Sequence, residues 1–285
     1  MFKLGQYEFK FCCASGALGY DGRGYWWDAP YRWLGLLRPE EFTIITKTLT
    51  LGQRDGNFRW WKYWETFQAK TYEYTVNAYG LKNPGLGWWL RKHADYLPYK
   101  TIVSICPFTC TEAIYMIKAL NNYYYRVSNN IVGIELNISC PNTEECSNYM
   151  DIIETIVQVS WFPIIIKIGI DHEWQTIQKS FGNKIAGFDA INTVPWSKLR
   201  QDKSPLHPHN GGISGIPICA ASIDKLLEIK RESLKIQVIS GGGIYTPEQA
   251  ALRFRYGANA ISFGTLFYFD PSEPNRIISN EYNQC

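Results

Sequence analysis

From about residue 99 to residue 268, short runs of β-branched and other apolar residues alternate with stretches whose apolar positions recur at helical spacing. The runs predict strands over 101–105, 131–136, 164–168, 189–193, 236–240 and 259–263. Between them the pattern predicts helices over 109–120, 148–159, 173–181, 222–231 and 246–256. The last opens Thr246-Pro247-Glu248, with proline in the first turn, where no backbone N–H is needed. Two earlier runs, 9–13 and 43–48, bring the strands to eight, most of them apolar on both faces as in a sheet covered by helices. Eight βα units in 285 residues predict an α/β fold, a closed (β/α)8 TIM barrel forming a single domain over residues 1–285. An open doubly wound sheet would place its glycine-rich turn after the first strand, whereas Gly241-Gly242-Gly243 follows the seventh.

Residues 50–98 interrupt this alternation as an aromatic-rich βα insertion, and eight of the eleven tryptophans precede residue 90. Local packing is the expected role of these rings, with a subunit interface as the alternative. The charged, proline-bearing stretch 197–210 is expected to be a surface loop.

Composition narrows the partners. With 46% hydrophobic residues the chain can bury a large core, and 29 basic against 26 acidic side chains leave a net charge of +3. That is too small to argue for nucleic acid or a membrane surface. The most apolar stretch, 156–170, is interrupted by Gln158, Ser160, Pro163 and Lys167 and is too short to span a bilayer. No secretory signal follows Met1, so a cytoplasmic protein is expected. Eight cysteines form no CxxC pair, and Cys106/Cys110 and Cys140/Cys146 have no neighbouring histidine, so no metal site is expected. Cys12, Cys13, Cys106, Cys110, Cys219 and Cys285 read as buried and inert, and the four histidines (His93, His172, His207, His209) as solvated.

In a barrel the reactive groups lie at the carboxyl ends of the strands. Those ends carry Ala14-Ser15-Gly16, Lys47-Thr48, Asn137 to Asn142, Lys167, Asn192-Thr193, Gly242-Gly243 and Gly264-Thr265. Glycines after strands seven and eight, with Gly211 to Gly215 after strand six, form a candidate phosphate site or simply tight turns. Lys47 and Lys167 each end an apolar strand, where an amine needs a partner or an electron-rich ligand. Cys140, held by Pro141 among polar neighbours, is a candidate general base.

Taken with Arg54 to Asn57, Asn77 to Leu81 and Glu135 to Asn142, this set resembles the dihydroorotate dehydrogenase family over nearly the whole chain. Cysteine at position 140 resembles the soluble class 1 enzymes. The resemblance implies an FMN-containing oxidoreductase that converts dihydroorotate to orotate in pyrimidine biosynthesis. Cys140 would be the base and Lys47 would lie between flavin and substrate. Asn77, Gly80, Leu81, Asn137, Asn142, Asn192 and Thr193, with Lys47, would hold the substrate. Ala14, Gly16, Lys47, Thr48, Asn137 and Lys167 would hold FMN, and Gly215, Gly242, Gly243, Gly264 and Thr265 its phosphate end. The resemblance also implies a small-molecule substrate, a homodimer, and an acceptor that is either fumarate or NAD reached through a separate electron-transfer subunit. Other pyrimidine-directed flavin barrels, of the dihydropyrimidine dehydrogenase or dihydrouridine synthase kind, and a non-catalytic flavin-binding barrel are the alternatives. The chain departs from the family pattern at Cys219-Ala220, where a Lys-Pro pair is usual, at Phe58, Arg59 and Trp60 in place of prolines, and in the acidic stretch holding Glu144 and Glu145.

Overall fold

The computed structural model describes residues 1–70, 72–126, 130–139, 148–207 and 209–282. Eight parallel strands form its centre: β1 (Phe11–Cys13), β2 (Ile44–Ile45), β3 (Thr101–Ile105), β4 (Ile131–Asn137), β5 (Ile164–Ile168), β6 (Gly187–Ala190), β7 (Val238–Gly241) and β8 (Ala260–Phe263). Neighbours in sequence are neighbours in the sheet from β2 to β8, and β8 pairs with β1. The ring closes where Cys12 bridges Thr43 and the Cys13 N–H donates to the Thr43 carbonyl at 3.1 Å. This is the expected (β/α)8 barrel.

Period-two alternation divides the interior into two cores. Outward residues such as Val103, Ile134, Leu136, Ile164 and Ile166 pack with Met116, Ile117, Ile152 and Ile156 of the covering helices. Inward Cys12, Ile45, Ile102, Ile165, Ile239 and Ala260 join Phe2, Leu4 and Phe9. Those two phenylalanines and the leucine belong to an antiparallel hairpin, Phe2–Leu4 against Tyr7–Phe9, that stoppers the amino-terminal end of the barrel. The predicted strand 9–13 is therefore split, because Phe9 serves the hairpin and only Phe11–Cys13 the barrel. Helix starts follow their caps: Thr109 accepts from the Glu112 N–H, and Thr246 forms a capping box with Gln249.

Two long connections meet above the carboxyl ends in a second, antiparallel sheet ordered Val194–Pro195, Gly212–Gly215, Tyr74–Asn77, Phe67–Lys70. Gly211 to Gly215, expected as part of a phosphate site or as a tight turn, is largely a strand whose Gly212 faces Asn77 and whose Gly215 faces Tyr74. The strand predicted over 189–193 ends at Ala190, so Asp189 lies inside it and Asn192 and Thr193 beyond it.

Local packing accounts for few of the tryptophans before residue 90. Trp89 is fully buried and donates its indole N–H to the Tyr20 carbonyl at 2.7 Å, but Trp26, Trp33 and Trp60 are 84%, 83% and 76% exposed. Trp60 and Trp61, and Tyr63 and Trp64, meet edge to face on a 3₁₀ stretch (Trp60–Glu65) that buries no residue. The stretch 197–210 is mostly exposed as expected, yet Leu206 is buried. Cys12, Cys13 and Cys106 are buried, whereas Cys110 and Cys219 are only half-buried. No helix among the described residues is long and apolar enough to cross a membrane.

Candidate active site

A cavity of about 610 Å³ opens at the carboxyl ends of the strands, within the size range of small-molecule sites. Ala14 and Gly16 reach it from β1, and Lys47 and Thr48 from the segment after β2. Asn137 ends β4, Lys167 lies in β5, and Asn192 and Thr193 follow β6. Gly242 and Gly243 follow β7, and Gly264 and Thr265 follow β8. Asn77, Gly80, Leu81 and Gly215 come down from the second sheet and its loops. Cys140 and Asn142 lie outside the described residues.

The barrel floor explains how a lysine is held here. One step beyond the inward Ile102 and Ile165, the inward positions become Ser104 and Lys167, joined by Glu135 and Asp189 from the flanking strands. Lys167 Nζ donates to Asp189 Oδ2 at 2.7 Å and lies 3.7 Å from Glu135 Oε2. Burial works against the ammonium, but Asp189 and Glu135 outweigh it and hold Lys167 above the usual lysine range. Burial pushes the Glu135 carboxyl up to about 8, with Lys167 pulling the other way. Its Oε1 accepts from Ser104 at 2.6 Å, while Oε2 has no hydrogen-bond partner among the described residues. A protonated Glu135 would bring the three groups to zero net charge, the state a buried cluster prefers.

A stability consequence follows. A carboxyl whose pKa is raised on folding binds more protons folded than unfolded, so stability falls as pH rises from about 4.5 toward about 8. Glu135→Gln removes this loss; urea unfolding at pH 5 and pH 8 is expected to show the variant gaining on the parent by on the order of 2 kcal/mol at the higher pH. Parallel pH profiles would refute the assignment.

Above the floor, Thr48 Oγ1 is met by Ser15 Oγ at 3.0 Å, Ser104 Oγ at 2.9 Å and Asn137 Nδ2 at 3.1 Å. Asn137 Oδ1 accepts from the Ser139 N–H at 3.2 Å, and Asn192 Nδ2 donates to the Ser139 carbonyl at 3.2 Å. Amides of β4 and β6 thus fix the chain leading into Cys140. His172 adds to this hold and is not solvated as expected. Its Nδ1 accepts from the Gly169 N–H and its Nε2 donates to the Ile138 carbonyl, both at 3.2 Å, tying the end of β4 to that of β5. Burial lowers its pKa, which keeps the neutral form this pair of bonds requires. His93 likewise binds Asp21 at 2.9 Å.

At the opposite side, glycine turns bring backbone close to the cavity. A Cβ on Gly243 (φ +72°) would stand 2.6 Å from the Cys219 Cβ, and one on Gly215 (φ +101°) 2.5 Å from the Glu73 carbonyl oxygen. Side chains are excluded there, so these positions line the cavity with backbone alone. Thr265 Oγ1 donates to Ser214 Oγ at 2.8 Å beside them. Lys47 Nζ lies 5.4 Å from the centre of the Tyr79 ring, which stacks on Phe67, and Phe67 meets Tyr268 edge-on at 5.0 Å. An apolar, aromatic wall therefore faces the polar floor.

Several of these residues escape a reading of the sequence. Asp189 stands at the inward phase of an apolar strand and Arg253 shares the buried helix face of Ala250, so a charge at an apolar phase is the signal each carried. His172 had no such signal, because its partners are backbone atoms brought near only by the barrel.

Fold and site together define a barrel enzyme with a glycine-rich, backbone-lined end after β7 and β8 and an amide-lined end after β4 and β6. The sequence profile of dihydroorotate dehydrogenase matches residues 35–283. The chain belongs to the dihydroorotate dehydrogenase family, oxidoreductases that convert dihydroorotate to orotate in pyrimidine synthesis. Among its relatives, the dihydroorotate dehydrogenase B (NAD(+)) catalytic subunit of Streptococcus pneumoniae is 28% identical over 94% of this chain and 85% of its own. The subunit of the same name from Caldicellulosiruptor saccharolyticus is 29% identical over 90% of this chain and 84% of its own. These B-type relatives agree with the class 1-like resemblance. Among solved structures, that of DHODH in complex with ferulenol from Eimeria tenella covers 85% of this chain and 75% of its own at a TM-score of 0.66 and 19% identity, a likeness of fold.

Proposed function

We propose that this chain performs the family reaction with FMN in the cavity at the carboxyl ends of the strands, and with Cys140 as the base. The observation that carries the reading is the convergence of Ala14, Gly16, Lys47, Thr48, Asn77, Gly80, Leu81, Asn137, Lys167, Asn192, Thr193, Gly215, Gly242, Gly243, Gly264 and Thr265 on one cavity. The residues fit the cofactor. Gly215, Gly242, Gly243, Gly264 and Thr265 offer backbone to a phosphate where a Cβ could not be tolerated at Gly215 or Gly243. Ala14, Gly16, Thr48 and Asn137 offer small or amide contacts to a flat ring, and Lys167 supplies a fixed positive charge from below. When bound, FMN supplies the hydride-accepting centre.

The chain's own residues do the rest. Asn77, Asn137, Asn142 and Asn192 each present a donor and an acceptor, matching a ring that carries both, and Thr193 adds a hydroxyl. Lys47 provides positive charge toward substrate, kept in place against the Tyr79 face. Cys140 removes the proton from C5 as the hydride leaves C6. Electrons leave through a separate electron-transfer subunit to NAD, by analogy with the relatives named as NAD(+) catalytic subunits, and the chain pairs as a homodimer.

The test is direct. Purified protein should show an FMN visible band that bleaches promptly when dihydroorotate is added without oxygen. A flavin that stays oxidised would shift the reading to another pyrimidine or to a binding role, and colourless protein that takes up no FMN would end it.

A further inference from the structure

Arg253, in the helix Pro247–Arg255, is the largest fully buried cationic side chain among the described residues. Its Nη1 donates to Ser222 Oγ at 2.6 Å and Ser240 Oγ at 3.0 Å. Its Nη2 donates to the Gly242 carbonyl at 2.7 Å and lies 3.4 Å from the Cys219 carbonyl and 3.6 Å from its Sγ, while Nε has no partner. Every acceptor is neutral. Among the described residues no carboxylate lies within ion-pairing distance of this guanidinium, whereas the buried Lys167 has two and only Lys230 shares the lack. A buried charge without a counter-charge is costly, and proteins retain one where a ligand completes it.

The position identifies the ligand's end of the cavity. Gly242 and Gly243 line the cavity, and Arg253 sits behind them, touching Cys219, against which Gly243 packs. In a trans peptide the N–H points opposite to the C=O. By holding the Gly242 carbonyl, Arg253 turns the Gly243 N–H away from itself and toward the cavity side, and its charge polarises that peptide in the same sense. A guanidinium behind the turn and an N–H in front of it make an anion site without a cationic side chain in the cavity wall.

We propose that Arg253 is a positioning residue for the phosphate group of the bound cofactor, acting through the Gly242–Gly243 turn. This rests on the FMN reading above. The cation thus comes from the helix after β7 and reaches Cys219, the position at which the family resemblance has a lysine.

The experiment uses the full chain freed of flavin, with FMN and riboflavin affinities read from flavin fluorescence. Arg253→Gln, which keeps hydrogen bonding but not charge, should weaken FMN about tenfold and leave riboflavin within about twofold; Arg253→Lys should keep most of the FMN preference. Equal weakening of both flavins, or of neither, overturns the proposal. If the glutamine variant does not fold, the lysine variant decides, since loss of its FMN-over-riboflavin preference would equally refute a charge-based role. If the parent protein binds neither flavin, the FMN reading fails by itself, and inorganic phosphate becomes the probe: thermal protection in the parent that the variant lacks sustains the anion role, and no protection in the parent ends it.

Discussion

Lys167→Met should destabilise the protein by about 3–5 kcal/mol, the cost of leaving buried carboxyls without their cation. Asp189 Oδ2 would lose its 2.7 Å ammonium partner and Glu135 the charge that draws its carboxyl downward, both in the barrel interior. Urea unfolding at neutral pH measures it. The deficit should shrink in acid, where the stranded carboxyls take up protons. A double variant, Lys167→Met with Asp189→Leu, should recover much of the stability, because an apolar pair of similar volume has no charge to desolvate. The single variant should also release FMN more readily on gel filtration. A Lys167→Met protein as stable as the parent would show that the cluster is not closed in the folded state.

Cys140→Ala should retain yellow FMN and lose turnover by ~10²–10⁴-fold, the range by which a positioned base accelerates proton removal. The parent rate should rise with pH as the thiol ionises, since the thiolate is the base, and the alanine variant should show no such rise. Flavin content and rate must be measured together, because loss of both would report a damaged site rather than a missing base. A fully active Cys140→Ala protein would remove cysteine from the chemistry and leave the proton to another group.

Much of the site was legible before the structure because the barrel puts chemistry at one end of every strand. Once apolar runs were placed, Thr48, Asn137, Lys167, Asn192 and the Gly242–Gly243 turn followed as the residues at or just past their ends, and each lines the cavity. Errors arose where a segment's partner is distant. Gly212–Gly215 reads as turn because its glycines dominate locally, yet it pairs with Tyr74–Asn77, and Thr75 meets Ser214 at 2.7 Å across 139 residues. The tryptophans from Trp60 to Trp64 read as core because indoles bury much apolar area, but their 3₁₀ stretch has no packing surface beneath it and they remain exposed.

Sequence alone determined the barrel and the identity of its mouth, because strand periodicity, glycine and amide residues act over a few neighbouring positions. Tertiary structure decided the electrostatics beneath that mouth. The pairing of Lys167 with Asp189 and Glu135, the tether of His172 between β4 and β5, and the place of Arg253 behind Gly242 each join elements far apart in the chain. Such contacts depend on which side chains the closed sheet turns inward at the same height, and no local pattern specifies that.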